Sequence, residues 1–150
     1  ERLAHWQAAL GMILDHAGLG VGFGNYGAAY EQYRTLRWAN PLGHAHNYYL
    51  NIFAETGILG LLAYLGVWVA IVVHALRAAG RRNTPALRWM AIGLLGAVAH
   101  LSVHHLFDNL YVANTFLLIG AYLGLFAGAR LKADAVEVMP TALSPGCAGG

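Results

Sequence analysis

The chain of 150 residues is 58% hydrophobic and only 11% charged, with a mean hydropathy of +0.50, which is too apolar for a soluble domain of this length. Its net charge of +2 comes without a basic patch interleaved with aromatic residues, so nucleic acid is excluded as a partner. The single cysteine, Cys147, excludes an internal disulfide. The composition predicts an integral membrane protein.

Two helical patterns and a glycine-rich turn occupy the first 57 residues. The turn, "GFGNYG" at 22–27, has the glycine spacing of a dinucleotide-binding loop, but no strand pattern adjoins it, so we reject nucleotide binding. It remains either a nest of backbone N–H groups for an anion or a plain turn. The segment 28–38 indicates a short second helix before the turn "NPLG". The first helix is amphipathic, with apolar residues three or four positions apart: Leu3, Trp6, Leu10, Ile13 and Ala17.

Three apolar segments, 58–76, 89–107 and 110–129, are long enough to cross a membrane as helices. A basic loop joins the first two, and basic residues also follow the third. By the positive-inside rule these groups are cytoplasmic, so the region before the first span lies outside. The basic residues in question are Arg77, Arg81, Arg82, Arg88, Arg130 and Lys132.

These patterns predict an all-α polytopic membrane protein with three regions. Residues 1–57 form an external region with amphipathic helices, and residues 58–130 form three transmembrane helices. Residues 131–150, rich in Pro and Gly and without periodicity, are predicted to be a disordered cytoplasmic tail. Because the sequence opens at Glu1 without an initiator Met or a signal-type segment, we expect a C-terminal fragment of a longer protein.

A polar stripe leads into the first span. Asn47, Asn51 and Glu55 recur every four residues and share one face if the helix begins near residue 47. A carboxylate at such a depth is typical of a functional cavity, although a Glu near a helix end can also reach the interface. His46, beside the stripe, lies at the outer water interface, where an imidazole suits proton transfer.

A second polar set lies at the outer end of the second span. His100, His104 and Asp108 are four residues apart, and a His pair one helical turn apart can bind a metal, as in the histidine boxes of membrane di-iron enzymes. Such enzymes need several boxes, and His44 and His46 are two residues apart, which does not suit one helical face. The other interpretation is a polar cavity in which Asp108 orients an imidazole. The His-box metalloenzyme stays an alternative.

The order of these motifs resembles the C-terminal part of the O-antigen ligase and polymerase superfamily, which includes Wzy-type polymerases and pilin-glycosylating oligosaccharyltransferases. The resemblance covers most of residues 1–128. "ERLAHWQAAL" resembles the family's Arg-then-Trp helix, and "DHAGLGVGFGNY" resembles its Gly-rich turn. The most specific match is the His-Asn segment "HAHNYYLNIFAETGILGLLAYL", and "HHLFDN" is a weaker one. His16-Ala17 stands where the family often has His-Pro.

The resemblance implies a glycosyltransferase of the GT-C type in the bacterial inner membrane, with its active site on the periplasmic face. It implies transfer of a glycan from undecaprenyl diphosphate to lipid A-core, another glycan or a protein, without a metal or cofactor. The resemblance does not distinguish between a ligase, a polymerase and a protein glycosyltransferase. Of the catalytic residues, Arg2 is expected to contact the donor diphosphate and His46 to assist the acceptor hydroxyl or the leaving group. The substrate-binding candidates are Asn47, Asn51, Glu55 and Asp108.

A function of another class fits the same polar stripe. Polar groups within a span also line solute paths, and some members of the superfamily have been described as bicarbonate transporters. The two functions differ in what they require. An enzyme needs His46 and Arg2 to turn over a lipid-linked glycan, whereas a transporter moves its solute without consuming one.

Overall fold

A computed structural model describes residues 1–81 and 84–138. These residues form five α-helices and no strand, which confirms the predicted all-α class. The helices are α1 (Arg2–Asp15), α2 (Tyr26–Tyr33), α3 (Tyr48–Ala79), α4 (Pro85–His104) and α5 (Thr115–Val138), with a short 3₁₀ turn at Leu110–Ala113.

Three of the described helices are long and apolar enough to cross a membrane: Tyr48–Ala79, Pro85–His104 and Thr115–Val136. Many of their large apolar side chains are exposed, as expected for surfaces that face lipid or further helices. Short connections make α3, α4 and α5 alternate in direction. The start of α3, the end of α4 and the start of α5 therefore meet at one end of the bundle.

α3 is broken at Gly57, whose backbone has φ 66° and ψ −169°. The break leaves carbonyl groups of the preceding turn without helical partners, and the glycine-rich turn supplies them. Val21 N–H donates to Ala54 O and Gly22 N–H to Glu55 O, both at 2.9 Å, while Ile58 N–H donates to Ala17 O at 2.8 Å. Of the two interpretations left open for this turn, the observed contacts match a structural turn, here docked into the break of a helix.

α1, α2 and the first part of α3 enclose a small hydrophobic core outside the long apolar segment. It contains Ala8, Ala9, Met12, Ile13, Tyr26, Tyr30, Ala45 and Ala54. The predicted helix over α1 is confirmed, but the two predicted leucines do not lie on its buried face, since Leu3 is 70% exposed and Leu10 49% exposed. The buried face consists of Ala4, His5, Ala8, Ala9, Met12 and Ile13.

A second core lies between the membrane-spanning helices, where α4 packs against both α3 and α5. Leu87, Ala91, Leu94 and Val98 of α4 are buried there together with Phe126 of α5. This packing holds the three long helices together. It thereby fixes the positions of the polar residues at their common end.

The observed helix ends differ from the predicted spans. α4 begins at Pro85, since proline suits the first turn of a helix, and ends at His104, whereas α5 begins at Thr115 after the 3₁₀ turn. α5 continues to Val138, so residues 131–138 are helical where the sequence predicted a disordered tail. Asp134 supports this extension through ion pairs with Arg130 and with Arg81. The rest of the predicted tail, 139–150, lies outside the described residues.

Candidate functional site

The loop before α3 brings His44 and His46 to Asp108, which follows α4. Three residues of this loop have left-handed backbone conformations: Leu42 (φ 47°), Gly43 (φ 78°) and His46 (φ 51°). Such conformations are uncommon for residues other than glycine and persist where surrounding contacts hold them. They turn the two imidazoles to the same side, with ring centroids 4.4 Å apart.

The position of this loop depends on contacts between the start of α3 and the end of α4. Tyr48 N–H donates to the carbonyl of His105 at 2.8 Å, and the Tyr49 hydroxyl donates to the carbonyl of Ser102 at 3.0 Å. These bonds join residues more than fifty positions apart. They hold His46 over the segment that carries Asp108.

His46 and Asp108 form the central contact of the site. His46 Nδ1 lies 3.3 Å from Asp108 Oδ1, and the same oxygen accepts the backbone N–H of Asn109 at 2.8 Å. Burial raises the pKa of Asp108, but the Asn109 N–H and the neighbouring His46 and His44 outweigh it, so the pKa is lowered overall. Asp108 is therefore a carboxylate at neutral pH and can orient an imidazole through Nδ1.

His44 lies against the same carboxylate oxygen. Its Nδ1 is 3.1 Å from the carbonyl of Leu42, and its Nε2 is 3.4 Å from Asp108 Oδ1. A carbonyl oxygen only accepts, so Nδ1 of His44 carries the hydrogen of that bond. His44, His46 and Asp108 thus form one compact group whose potential ligand atoms all lie within 4.8 Å of one another.

A third histidine, His5 of α1, completes the surroundings of His46. The His5 ring is 1% exposed, stacks on Tyr30 at 4.8 Å and meets the His46 ring edge-on at 5.5 Å. Burial lowers the pKa of His5, and His46 lowers it further, so His5 is neutral near pH 7. Sequence reasoning missed His5, although it is three residues after Arg2, which places both on one face of α1.

Arg2 itself is the first residue of α1, and its side chain is exposed. Within residues 1–81 and 84–138 no ion pair or hydrogen bond of its guanidinium was found. Arg2 therefore lies one helical turn before His5, and the described residues show no hydrogen bond between Arg2 and His46.

The three polar residues predicted at the start of α3, Asn47, Asn51 and Glu55, form hydrogen bonds that hold backbone groups in place. Asn47 caps α3 by accepting the N–H of Leu50 at 3.0 Å, and its amide donates to the carbonyl of Leu106 at 3.1 Å. Asn51, which is buried, accepts the N–H of Ala45 at 3.0 Å. These bonds keep the His44–His46 loop in register with α3 and α4.

Glu55, also buried, accepts the N–H of Tyr26 at 3.2 Å. Tyr26 is the first residue of α2, so the carboxylate satisfies one of the free N–H groups at that helix end. A negative charge at this position also interacts favourably with the helix dipole. Glu55 does not reach the interface as a snorkelling side chain. It is a buried acceptor between α2 and α3.

An open cavity of about 470 Å³ is lined by chain neighbours of the histidine group, although His44, His46 and Asp108 themselves do not line it. Gly43 directly precedes His44, and Asn109 directly follows Asp108. Asn51 and Glu55 line the cavity together with Tyr48 and Tyr111, and Phe23 contributes apolar surface. The cavity offers both amide and carboxylate groups, which suit the hydroxyls of a sugar, beside rings on which a sugar face can pack.

The spacing of His100, His104 and Asp108 does not produce a metal group in the described part of the chain. α4 ends at His104, and the chain turns before Asp108, so the four-residue spacing no longer puts Asp108 on the helical face of the two histidines. The His100 and His104 rings are 5.8 Å apart. The group that does converge uses Asp108 with His44 and His46, which lie in a loop. The expectation that their two-residue spacing does not suit a shared site holds only for a helix, so it is wrong here.

The fold and this site define a class: a polytopic helical membrane protein with a histidine–carboxylate site at one end of its spans. The comparison with protein families is more specific. Residues 1–65, less than half of the chain, match the family described as O-antigen ligase, which confirms the resemblance for that segment. No curated protein and no solved structure matches the chain significantly. The matched segment contains α1, α2 and both loop histidines.

Proposed function

We propose that this chain contributes the acceptor-activating part of a glycosyltransferase that moves a glycan from a polyprenyl diphosphate to a hydroxyl-bearing acceptor. The observation that carries the proposal is the 3.3 Å contact between His46 Nδ1 and Asp108 Oδ1. With the Nδ1 hydrogen directed to the carboxylate, Nε2 of His46 is free to accept a proton. The carboxylate then stabilises the imidazolium that forms.

In the proposed reaction, the acceptor oxygen attacks the anomeric carbon of the lipid-linked sugar. The new glycosidic C–O bond forms as the C–O bond to the diphosphate breaks, and the diphosphate leaves with the bonding electron pair. The hydroxyl proton passes to Nε2 of His46. A positioned general base of this kind contributes ~10²–10⁴-fold to the rate. No metal takes part in this transfer.

The cavity beside His46 is the proposed site for the reacting sugar. Asn51 and Glu55 line it while also holding the backbone around it, so the substrate-binding surface and the scaffold are the same residues. Arg2, one turn before His5, is the proposed contact of the donor diphosphate, because a guanidinium remains charged and pairs with two phosphate oxygens at once.

The proposed location is the inner membrane of a bacterium, with this site on the periplasmic face. The support is the distribution of basic residues. More of the described ones lie at the opposite end of the spans from His46 and Asp108 than before the first span: Arg77, Arg81, Arg88, Arg130 and Lys132 against Arg2, Arg34 and Arg37. A polyprenyl diphosphate would place its headgroup at that water interface. The acceptor is lipid A-core, another glycan or a protein.

The test uses full-length protein in membranes, with a lipid-linked glycan as donor and product formation as readout. His46→Ala and His46→Gln are both expected to lower transfer by ~10²-fold or more, because Gln can donate and accept hydrogen bonds but cannot take up a proton. Asp108→Asn is expected to slow transfer as well, since an amide can favour the wrong tautomer. Arg2→Lys keeps the positive charge but loses the planar guanidinium that can pair with two phosphate oxygens, so turnover of the donor should fall.

His16→Ala is the matched control, because His16 is an exposed histidine of the same external region. It should transfer at the parental rate. If His46→Gln retains most of the activity, His46 positions the substrate and is not a base. Parental rates in all His46 and Asp108 variants at equal protein levels would overturn the proposal, and solute uptake without glycan consumption would favour the transporter.

A further inference from the structure

We propose that His44, His46 and Asp108 form a three-ligand site for Zn²⁺, and that the bound ion inhibits glycan transfer by occupying Nδ1 of His46. Metal binding at this group does not depend on the proposed function. Only the inhibition rests on it, because it requires His46 to be the base.

The first argument comes from the hydrogen on His44. Since Nδ1 of His44 donates to the carbonyl of Leu42, the neutral ring has a lone pair on Nε2. That lone pair faces the Asp108 Oδ1 atom at 3.4 Å, and a carboxylate oxygen only accepts. Two acceptors are thus directed at each other. Either a proton or a cation between them would turn this repulsion into attraction.

The two nitrogen–oxygen separations fit a bound cation. They are 3.3 Å from His46 Nδ1 and 3.4 Å from His44 Nε2, both measured to Asp108 Oδ1. Zinc binds imidazole nitrogen and carboxylate oxygen at about 2.0–2.1 Å, so neighbouring ligand atoms around a tetrahedral ion are roughly 3.3–3.4 Å apart. The two observed separations therefore equal two edges of a zinc coordination tetrahedron.

The surroundings of His44 are also those of a metal ligand. Metal-bound histidines usually donate their other ring N–H to a carbonyl or carboxylate, which fixes the ring and leaves the free nitrogen toward the ion. The Leu42 carbonyl has this role for His44. The left-handed conformations of Leu42 and His46 hold the loop so that both rings face Asp108.

The donor set selects the type of ion. Two imidazoles and one carboxylate suit zinc and related transition metals, whereas Mg²⁺ and Ca²⁺ prefer oxygen ligands. Three protein ligands leave the fourth position of a tetrahedral zinc for water. The side chains of His44 and His46 are 15% and 18% exposed, so an ion from solution can reach them.

Zinc on His46 would change which ring nitrogen is available. With Nδ1 bound to the ion, the neutral ring keeps its hydrogen on Nε2 and donates there instead of accepting. The ion also takes the carboxylate that would stabilise the imidazolium. An acceptor hydroxyl then meets no base, so transfer stops while the fold is unchanged.

The binding test is equilibrium dialysis of tag-free full-length protein in detergent against ZnCl₂, followed by metal analysis. We expect one Zn²⁺ per chain at this site, and at least a tenfold weaker affinity in His44→Ala and in Asp108→Asn. His16→Ala, the exposed histidine outside the group, should bind like the parent. The metal site is overturned if the parent binds no Zn²⁺, or if His44→Ala binds it as tightly as the parent.

The inhibition test measures glycan transfer against ZnCl₂ concentration, each variant relative to its own rate in chelator. The parent and His16→Ala should be inhibited together, and His44→Ala should need at least tenfold more zinc for half-inhibition. If zinc binds through His44 yet transfer is unaffected, the inhibitory role is overturned and His46 is not the base. If the parent binds no Zn²⁺ while glycan transfer still depends on His46, the metal site is overturned and the proposed function stands.

Discussion

His46 and His105 lie near each other at the same end of the bundle, but their surroundings differ. His46 is partly exposed and faces a carboxylate. His105 is fully buried among Tyr48, Tyr64 and Tyr111, with its Nδ1 3.3 Å from the Tyr64 hydroxyl. Its Nε2 has no hydrogen-bond partner among the described residues. The buried imidazole of His105 is held neutral by desolvation.

The burial of His105 predicts a loss of stability in mild acid. Burial lowers the pKa of His105 to about 4 in the folded protein, and the neighbouring His104 lowers it too, against 6.5 for a free histidine. Between these values the denatured state binds the proton more readily, so stability falls as the pH falls from about 6.5 to 4 and levels off below. The loss from this residue is roughly 3 kcal/mol at most.

The measurement is the thermal midpoint in detergent at several pH values. His105→Phe keeps an aromatic ring among the tyrosines but removes the titration, so its midpoint should fall less between pH 6.5 and pH 4 than that of the parent. His16→Phe, at an exposed position, should leave the pH dependence unchanged. A parental pH dependence in His105→Phe would show that this group does not control acid stability.

The break in α3 is the element that connects α1, α2 and the glycine-rich turn to the membrane-spanning part of α3. Gly57 adopts φ 66°, and a Cβ at this position would overlap the carbonyl of Gly18. Gly20 approaches the Glu55 backbone just as closely from the other side. The glycines therefore allow the turn to enter the break, where its N–H groups satisfy carbonyls that a helix would otherwise use.

Gly57→Ala is expected to destabilise the protein by ~2 kcal/mol or more, because the side chain would be strained at positive φ and would push the turn out of the break. The readout is a lower thermal midpoint in detergent, together with loss of protease protection at the glycine-rich turn. The control is Gly66→Ala in the same helix, where an added Cβ meets nothing within 4 Å. It should be neutral or slightly stabilising, since Ala is the better helix former. Equal midpoints for the two variants would contradict the role of the break.

At the scale of the molecule, the spans determine which groups meet. α3 and α4 are antiparallel, so residues 62 positions apart, His46 and Asp108, come into contact at one end. Most of the described basic residues lie at the other end. Exposed apolar side chains on α3 and α5, such as Leu62, Val69 and Leu118, require lipid or further helices around them.

The orientation of the bundle predicts a labelling pattern in intact cells. With Cys147→Ser as background, single cysteines are introduced at Leu36 in the external region and at Gly80 after α3. Leu36 is 98% exposed and Gly80 is also exposed, so both positions can react once a reagent reaches them. An impermeant thiol reagent should label the cysteine at 36 only, and both after permeabilisation. Labelling of the cysteine at 80 in intact cells would show that the spans have the opposite orientation to the one predicted.

The sequence alone determined the helices, the three spans and the resemblance of the external segment, because hydrophobic periodicity and span length are local properties of the chain. It also predicts His46 as a catalytic candidate and Asp108 as a substrate-binding candidate, but not that the two residues touch. Tertiary structure decided that contact, the pairing of Glu55 with the start of α2, and the approach of His5 and His44 to His46. These depend on where α4 ends and how the loop turns, which long-range packing fixes and no local pattern encodes.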